Sequence, residues 1–207
     1  MVRGEAVHLG GDFGFFIALA QGISSGIGMV LDGRPTAEYP PLYPLFVSGV
    51  YWLAGPRPLA LLSVQAFLGA LMCPLVASMG RKLAGPGAAA LAGLLYALYP
   101  PFLQAEHLIM TEALFTFWVI LTLYALILLT RSPGPAAMAL FGAASALGAL
   151  TKPSLALFPI AVLLGLVAAQ GRKFLPMAGR AVIFSVVFIA LLTPWTIRNH
   201  RALGEFI

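Results

Sequence analysis

The run HLIMTEALFTFWVILTLYALILLT, residues 107–130, is the most apolar stretch of this sequence, yet it carries a carboxylate, Glu112, near its start. An acid within a hydrophobic helix is a functional candidate because it is costly to keep there, although close to a helix end it can reach back to the interface at little cost. Glu106 and His107 flank it and make one polar corner. Arg198 and Arg201 follow TPW at the end of the last apolar run. A guanidinium fork takes a phosphate bidentately; an arginine beside a membrane also serves as a plain anchor, its stem lying along apolar surface. Lys152 in TKPS is a second phosphate candidate or a turn residue, and Asp12 in GGDFG reads, taken alone, as a solvated loop aspartate. The DFG string has no kinase lysine strand or catalytic loop around it, and GISSGIGM has no βαβ unit, so neither is a nucleotide motif.

The elements that must position these groups are membrane helices. Of 207 residues, 60% are hydrophobic and 9% charged, with mean hydropathy +0.95; soluble domains carry about 25% charged residues. The strand alternation of an outer-membrane barrel is absent. The fold class is therefore all-α, a polytopic transmembrane helical bundle. The net charge of +5 is spread over short loops, which excludes nucleic acid as a partner. A single cysteine, Cys73, sits in an apolar run as a buried thiol, which rules out disulfide frameworks and cysteine metal sites. The first residues lack the basic-then-apolar pattern of a signal peptide.

Runs of about 20 apolar residues mark bilayer crossings. Pro58–Met79 is the first, and Gly87–Leu103 the second, broken near its end by Pro100-Pro101. His107–Thr130 is the third. The stretch 136–170 is too long for one crossing and is interrupted by TKPS, so it reads as a tight pair, Ala136–Leu150 and Ser154–Ala169. With Ala181–Trp195 this gives about six spans. Residues 1–57 form a long external loop with two interfacial helices, one bearing Phe16, Leu19, Ala20, Ile23 and Ile27 at helical spacing. Residues 58–195 are the helical core, and 196–207 a juxtamembrane end.

Arg81 with Lys82, Arg131, and Arg172, Lys173 and Arg180 fall in alternate loops, which places those loops in the cytoplasm. All seven acids, Glu5, Asp12, Asp32, Glu38, Glu106, Glu112 and Glu205, then face the other side. Short cytoplasmic loops leave little room for acids, which explains part of this clustering; a site explains the rest.

The segments GDFGFFIALAQGISSGIGM, GRPTAEYPPLYPLFVSGVYWLAGPRPLALLSVQAFLGAL, LYPPFLQAEHLIMTEALFTF, GALTKPSLAL and TPWTIRNHRALGEFI occur in an order that resembles the membrane part of GT-C glycosyltransferases, the family of protein O-mannosyltransferases and bacterial aminoarabinose transferases. The resemblance covers nearly the whole chain, and relatives have further helices on both sides, so the chain reads as an internal piece of that fold. It implies transfer of a sugar from a polyprenyl-phosphate carrier to a protein, lipid or glycan acceptor, at the outer face of a bacterial inner membrane. It implies that Asp12 is the catalytic acid of the first external loop, that Glu38 is a second acidic position there, and that Glu112 lines the cavity. Arg198 falls near positions that engage the lipid phosphate. Two positions depart from the pattern: phenylalanine (Phe15 or Phe16) replaces a tyrosine, and Tyr39 stands where the aminoarabinose enzymes have a lysine.

The chemistry expected of such a site is direct. A sugar phosphate leaves as an anion and needs cationic stabilisation, from Arg198 and Lys152, with Arg201 nearby. The acceptor hydroxyl needs a base, Asp12. Glu38, Tyr39, Glu106, His107 and Glu112 contact substrate; no cofactor is required, and if a divalent ion binds, Glu38 and Glu112 are its ligands. Two other readings remain at this point, a non-catalytic transporter or flippase-like protein and an inactive fragment of the transferase.

Overall fold

The computed structural model describes residues 13–132, 134–169 and 174–206. The first external segment folds as α1 (Phe13–Ser24), a two-stranded hairpin of β1 (Val30–Leu31) and β2 (Arg34–Pro35), and α2 (Leu42–Ala54). The helices have 12 and 13 residues, about 18–20 Å at the helical rise, too short to cross a bilayer. The stripe expected to lie on the membrane interface instead faces protein: Phe16, Leu19 and Ala20 are buried, whereas Ile27 is 69% exposed. The physical reason is α2, whose Tyr43 and Val47 share one apolar cluster with Phe16 and Ala20. The hairpin was not expected. Leu31 pairs with Arg34 across Asp32-Gly33, both at positive φ (51° and 75°), as a two-residue turn of this kind requires.

The bundle then follows. α3 (Pro58–Ala84) runs beyond the expected Met79 and takes Arg81 and Lys82 into its last turn, where cations favour the helix terminus. α4 (Pro86–Leu98) and α5 (Pro100–Glu106) meet at an angle of 54°. Proline pushes the residue before it out of the helical region, and Tyr99 is extended there. α6 (Glu112–Arg131), α7 (Pro135–Ala149), a 3-10 turn (Pro153–Leu155), α8 (Leu157–Ala169) and α9 (Phe174–Leu203) complete the order. α9 passes Trp195 without a break, so Arg198 and Arg201 lie on a helix. The polytopic helical class holds. Among the described residues three helices are long and apolar enough to cross a membrane, four if α4 and α5 count as one bent span. The pair around TKPS is present as two shorter apolar helices.

α6 is the axis of the packing. Its Leu114 joins the cluster of α1, α2 and α3, its Ile120 packs with Met72 and Tyr96, and its Ala125 and Leu129 join Phe141, Phe184 and Phe188 of α7 and α9. Leu91, Leu94, Leu95 and Leu98 of α4, and Val182, Val186 and Ile189 of α9, face outward, as lipid-facing surfaces do.

The break between α5 and α6 frees main-chain carbonyls that need partners. Gln65 of α3, fully buried, meets this need: its amide nitrogen donates to the carbonyls of Leu108 (2.8 Å) and Glu106 (3.2 Å). Its amide oxygen accepts from the Tyr43 hydroxyl at 2.8 Å. Burial, with the Glu112 carboxylate adding, pushes that hydroxyl above its usual range, so it stays a donor. One side chain thus joins α2, α3 and the entry to α6. Replacing one partner of a buried bond costs about 1–3 kcal/mol for each group left unpaired. Gln65→Leu should therefore lower stability by about 3 kcal/mol and Tyr43→Phe by about 1 kcal/mol, read from denaturant unfolding in detergent; equal effects would show that the amide is not the junction.

Candidate functional site

Four connections gather at one end of the bundle: the loop 36–41, the turn 107–111, the segment 150–156 and the last turns of α9. Leu42 N–H donates to the Leu150 carbonyl at 3.0 Å, fixing the first to the third. The opposite end holds Arg81, Lys82 and Arg131, with Lys82 over the Tyr124 ring at 5.9 Å.

The apolar run 107–130 places Glu112 about one turn inside a helix, but it is the first residue of α6. Residues 107–111 do not continue the helix, because α5 has already ended at Glu106. The position is favourable for a carboxylate, which faces the positive end of the helix dipole. The Thr111 side chain makes no capping bond there. Lys152 Nζ lies 2.8 Å from Glu112 Oε1 and 5.6 Å from the Phe115 ring centre. Both partners are more than a third exposed, 36% and 38%, so the pair adds only about 0–1 kcal/mol to stability. Its consequence is positional: an ammonium group is held at the mouth of a cavity.

That cavity, of about 180 Å³, is lined by Phe16, Tyr39, Thr111, Glu112, Thr151 and Lys152, with Pro40, Met110 and Pro153. The Tyr39 ring stacks on Phe15 (5.7 Å between centres) and meets Phe16 edge-on (5.3 Å). Phe15 and Phe16 therefore hold the ring of Tyr39 between them. A second cavity, about 290 Å³, lies across Pro40 and Pro153 and includes Glu38, Trp195 and Thr196. The structure thus brings Tyr39, Glu112 and Lys152 together and puts Glu38 in the neighbouring space.

Other expected residues are placed differently. The Glu106 carboxylate lies against Gly69 of α3, where a side chain at position 69 would occupy its space. His107 is exposed and its Nδ1 is 2.6 Å from the Leu103 carbonyl, finishing α5. Arg198 directs Nη1 to the Thr36 carbonyl (2.7 Å) and to Asn199 Oδ1 (3.1 Å), and Nη2 to the Met29 carbonyl (2.8 Å). Its guanidinium lies 5.1 Å from the Trp195 ring centre. Arg201 is exposed. Asp12 lies outside the described residues. Among those described, no group of three metal-ligating side chains converges; Glu38 and Glu112 line separate cavities and Glu112 is matched by a lysine.

Sequence reasoning missed Gln65 and Tyr43, which carry no periodic or motif signal. It also missed the hairpin, for which Asp32-Gly33 between Leu31 and Arg34 was an available signal.

Residues 38–197 match the family model described as dolichyl-phosphate-mannose-protein mannosyltransferase. No curated protein and no solved structure matches the chain. The matched span contains Glu38, Tyr39, Glu106, His107, Glu112 and Lys152, together with α3 to α8 and most of α9. On that match over most of its length, and on helices able to cross a bilayer, the chain belongs to the dolichyl-phosphate-mannose-protein mannosyltransferase family, membrane glycosyltransferases of the GT-C type.

Proposed function

We propose that the chain carries the membrane catalytic core of a transferase that moves a sugar from a polyprenyl-phosphate carrier to an acceptor hydroxyl, with inversion, at the outer face of a bacterial inner membrane. The observation that carries this reading is the Lys152–Glu112 pair at the mouth of α6, beside Tyr39, at the end of the bundle where the loops meet. A polyprenyl tail stays in the bilayer, so its phosphate must be met at that depth. Lys152 supplies a cation there, and Glu112 keeps its ammonium pointed into the cavity until an anion arrives.

In the transfer, the acceptor oxygen attacks the anomeric carbon as its proton passes to Asp12. The bond from that carbon to the phosphate oxygen breaks on the opposite side, and the carrier phosphate leaves with the electron pair. It needs no proton, because charge on its oxygens is met by Lys152, with exposed Arg201 near the membrane surface. Glu38 and Tyr39 belong to the loop between the two cavities and orient the sugar or the acceptor.

Two substitutions test the roles separately. Asp12→Asn should abolish transfer in a purified, lipid-reconstituted protein while leaving binding of a polyprenyl phosphate unchanged; near-normal turnover would remove the base from the scheme. A hydrogen bond to a charged group contributes about 1.5–3 kcal/mol, so Lys152→Met should weaken polyprenyl-phosphate binding by about 10- to 150-fold. Binding unaffected by Lys152→Met would mean that the phosphate sits elsewhere.

A further inference from the structure

Arg198 has the charge of a phosphate ligand, but its bonds lead elsewhere. A guanidinium has five N–H donors, and three of them are committed: two on Nη1, to Thr36 O and Asn199 Oδ1, and one on Nη2, to Met29 O. Trp195, one helical turn away, lies against its plane. Asn199, which accepts one of the Nη1 bonds, is fully buried. The two carbonyls are not arbitrary. Met29 and Thr36 flank the hairpin on its open side, where Thr36 N–H donates to Met29 O at 3.1 Å. Arg198 therefore closes the base of the hairpin from outside and ties it to α9. Two residues beyond Thr36 stands Glu38, whose own N–H is held by Thr36 Oγ1 at 3.1 Å, and next to it Tyr39, which lines the cavity with Lys152.

We infer that Arg198 is a positioning residue: it holds the hairpin 29–36 on α9 and so sets the loop carrying Glu38 and Tyr39 over the cavity, rather than binding the donor phosphate. The hairpin acts as a rigid bracket. Its turn needs positive φ at Asp32 and Gly33, its open side is closed by a charged fork, and the segment leaving it is pinned again by Leu42 N–H on Leu150 O. A lysine at position 198 would keep the charge but present a compact ammonium in place of a planar fork, and would not span both carbonyls in this way.

This inference rests on the donor site proposed at Lys152, and its test separates the two. The protein in lipid nanodiscs is measured for turnover, for binding of a sugar-free polyprenyl phosphate, and for backbone hydrogen exchange. For Arg198→Gln, exchange should rise in residues 29–41 while α3 and α6 stay protected, and phosphate binding should stay within about twofold of the parent. Turnover should fall about 100-fold, the scale of a 1 Å misplacement at a reacting centre. Arg198→Lys should behave like the glutamine variant. Gly33→Val, at an exposed turn where an added Cβ would meet no atom within 4 Å, strains the same hairpin through its positive φ and should give the same pattern even if the arginine variants fold poorly. Phosphate binding lost with Arg198→Gln but kept with Gly33→Val, or full turnover in Arg198→Lys, would overturn the positioning role. If Lys152→Met leaves phosphate binding intact, the donor site fails, whereas the exchange result for the hairpin stands or falls independently.

Discussion

A helix that stops against a buried neighbour leaves main-chain carbonyls that need partners. In this chain the stop lies between Glu106 and Glu112, and the buried amide of Gln65 answers it. The arrangement at the end of the bundle that carries the two cavities follows from that junction. Because the helix stops, Glu112 begins α6 instead of lying within it, and its carboxylate meets the dipole end and Lys152. Because Gln65 also accepts from Tyr43, the same junction anchors α2, which in turn buries Phe16 and leaves Tyr39 against the Lys152 cavity. The polar node is small, but it fixes the register between the external segment and the bundle.

The larger outline was legible in the sequence because it depends on quantities that sum over many residues. Apolar runs marked α3, α6 and α9, and the two prolines at 100–101 marked the bend between α4 and α5. TKPS was read as a break and is one, with Lys152 extended before the 3-10 turn. Glu112 and Lys152 were both singled out, each from its own surroundings. Their pairing was not foreseen, since 40 residues separate them and no local pattern links the two segments.

What escaped the sequence were roles set by single contacts. Gln65 looks like one polar residue in an apolar helix, and only the position of the α5–α6 break gives it a purpose. Phe16, Leu19 and Ala20 showed the right spacing for a buried stripe, but spacing alone does not say whether lipid or protein covers it; α2 does. Arg198 was read by its charge, whereas its bonds to Met29 and Thr36 depend on a hairpin more than 160 positions earlier in the chain. Long-range partners of this sort leave no trace in a linear pattern.

The bond from Leu42 N–H to the Leu150 carbonyl joins main chain to main chain. No side chain takes part, so neither letter at these positions is constrained by it, and only proline at 42 would remove the donor. Side chains lining the cavities on either side can therefore change without loosening the seam between the two loops, which is made of main chain alone.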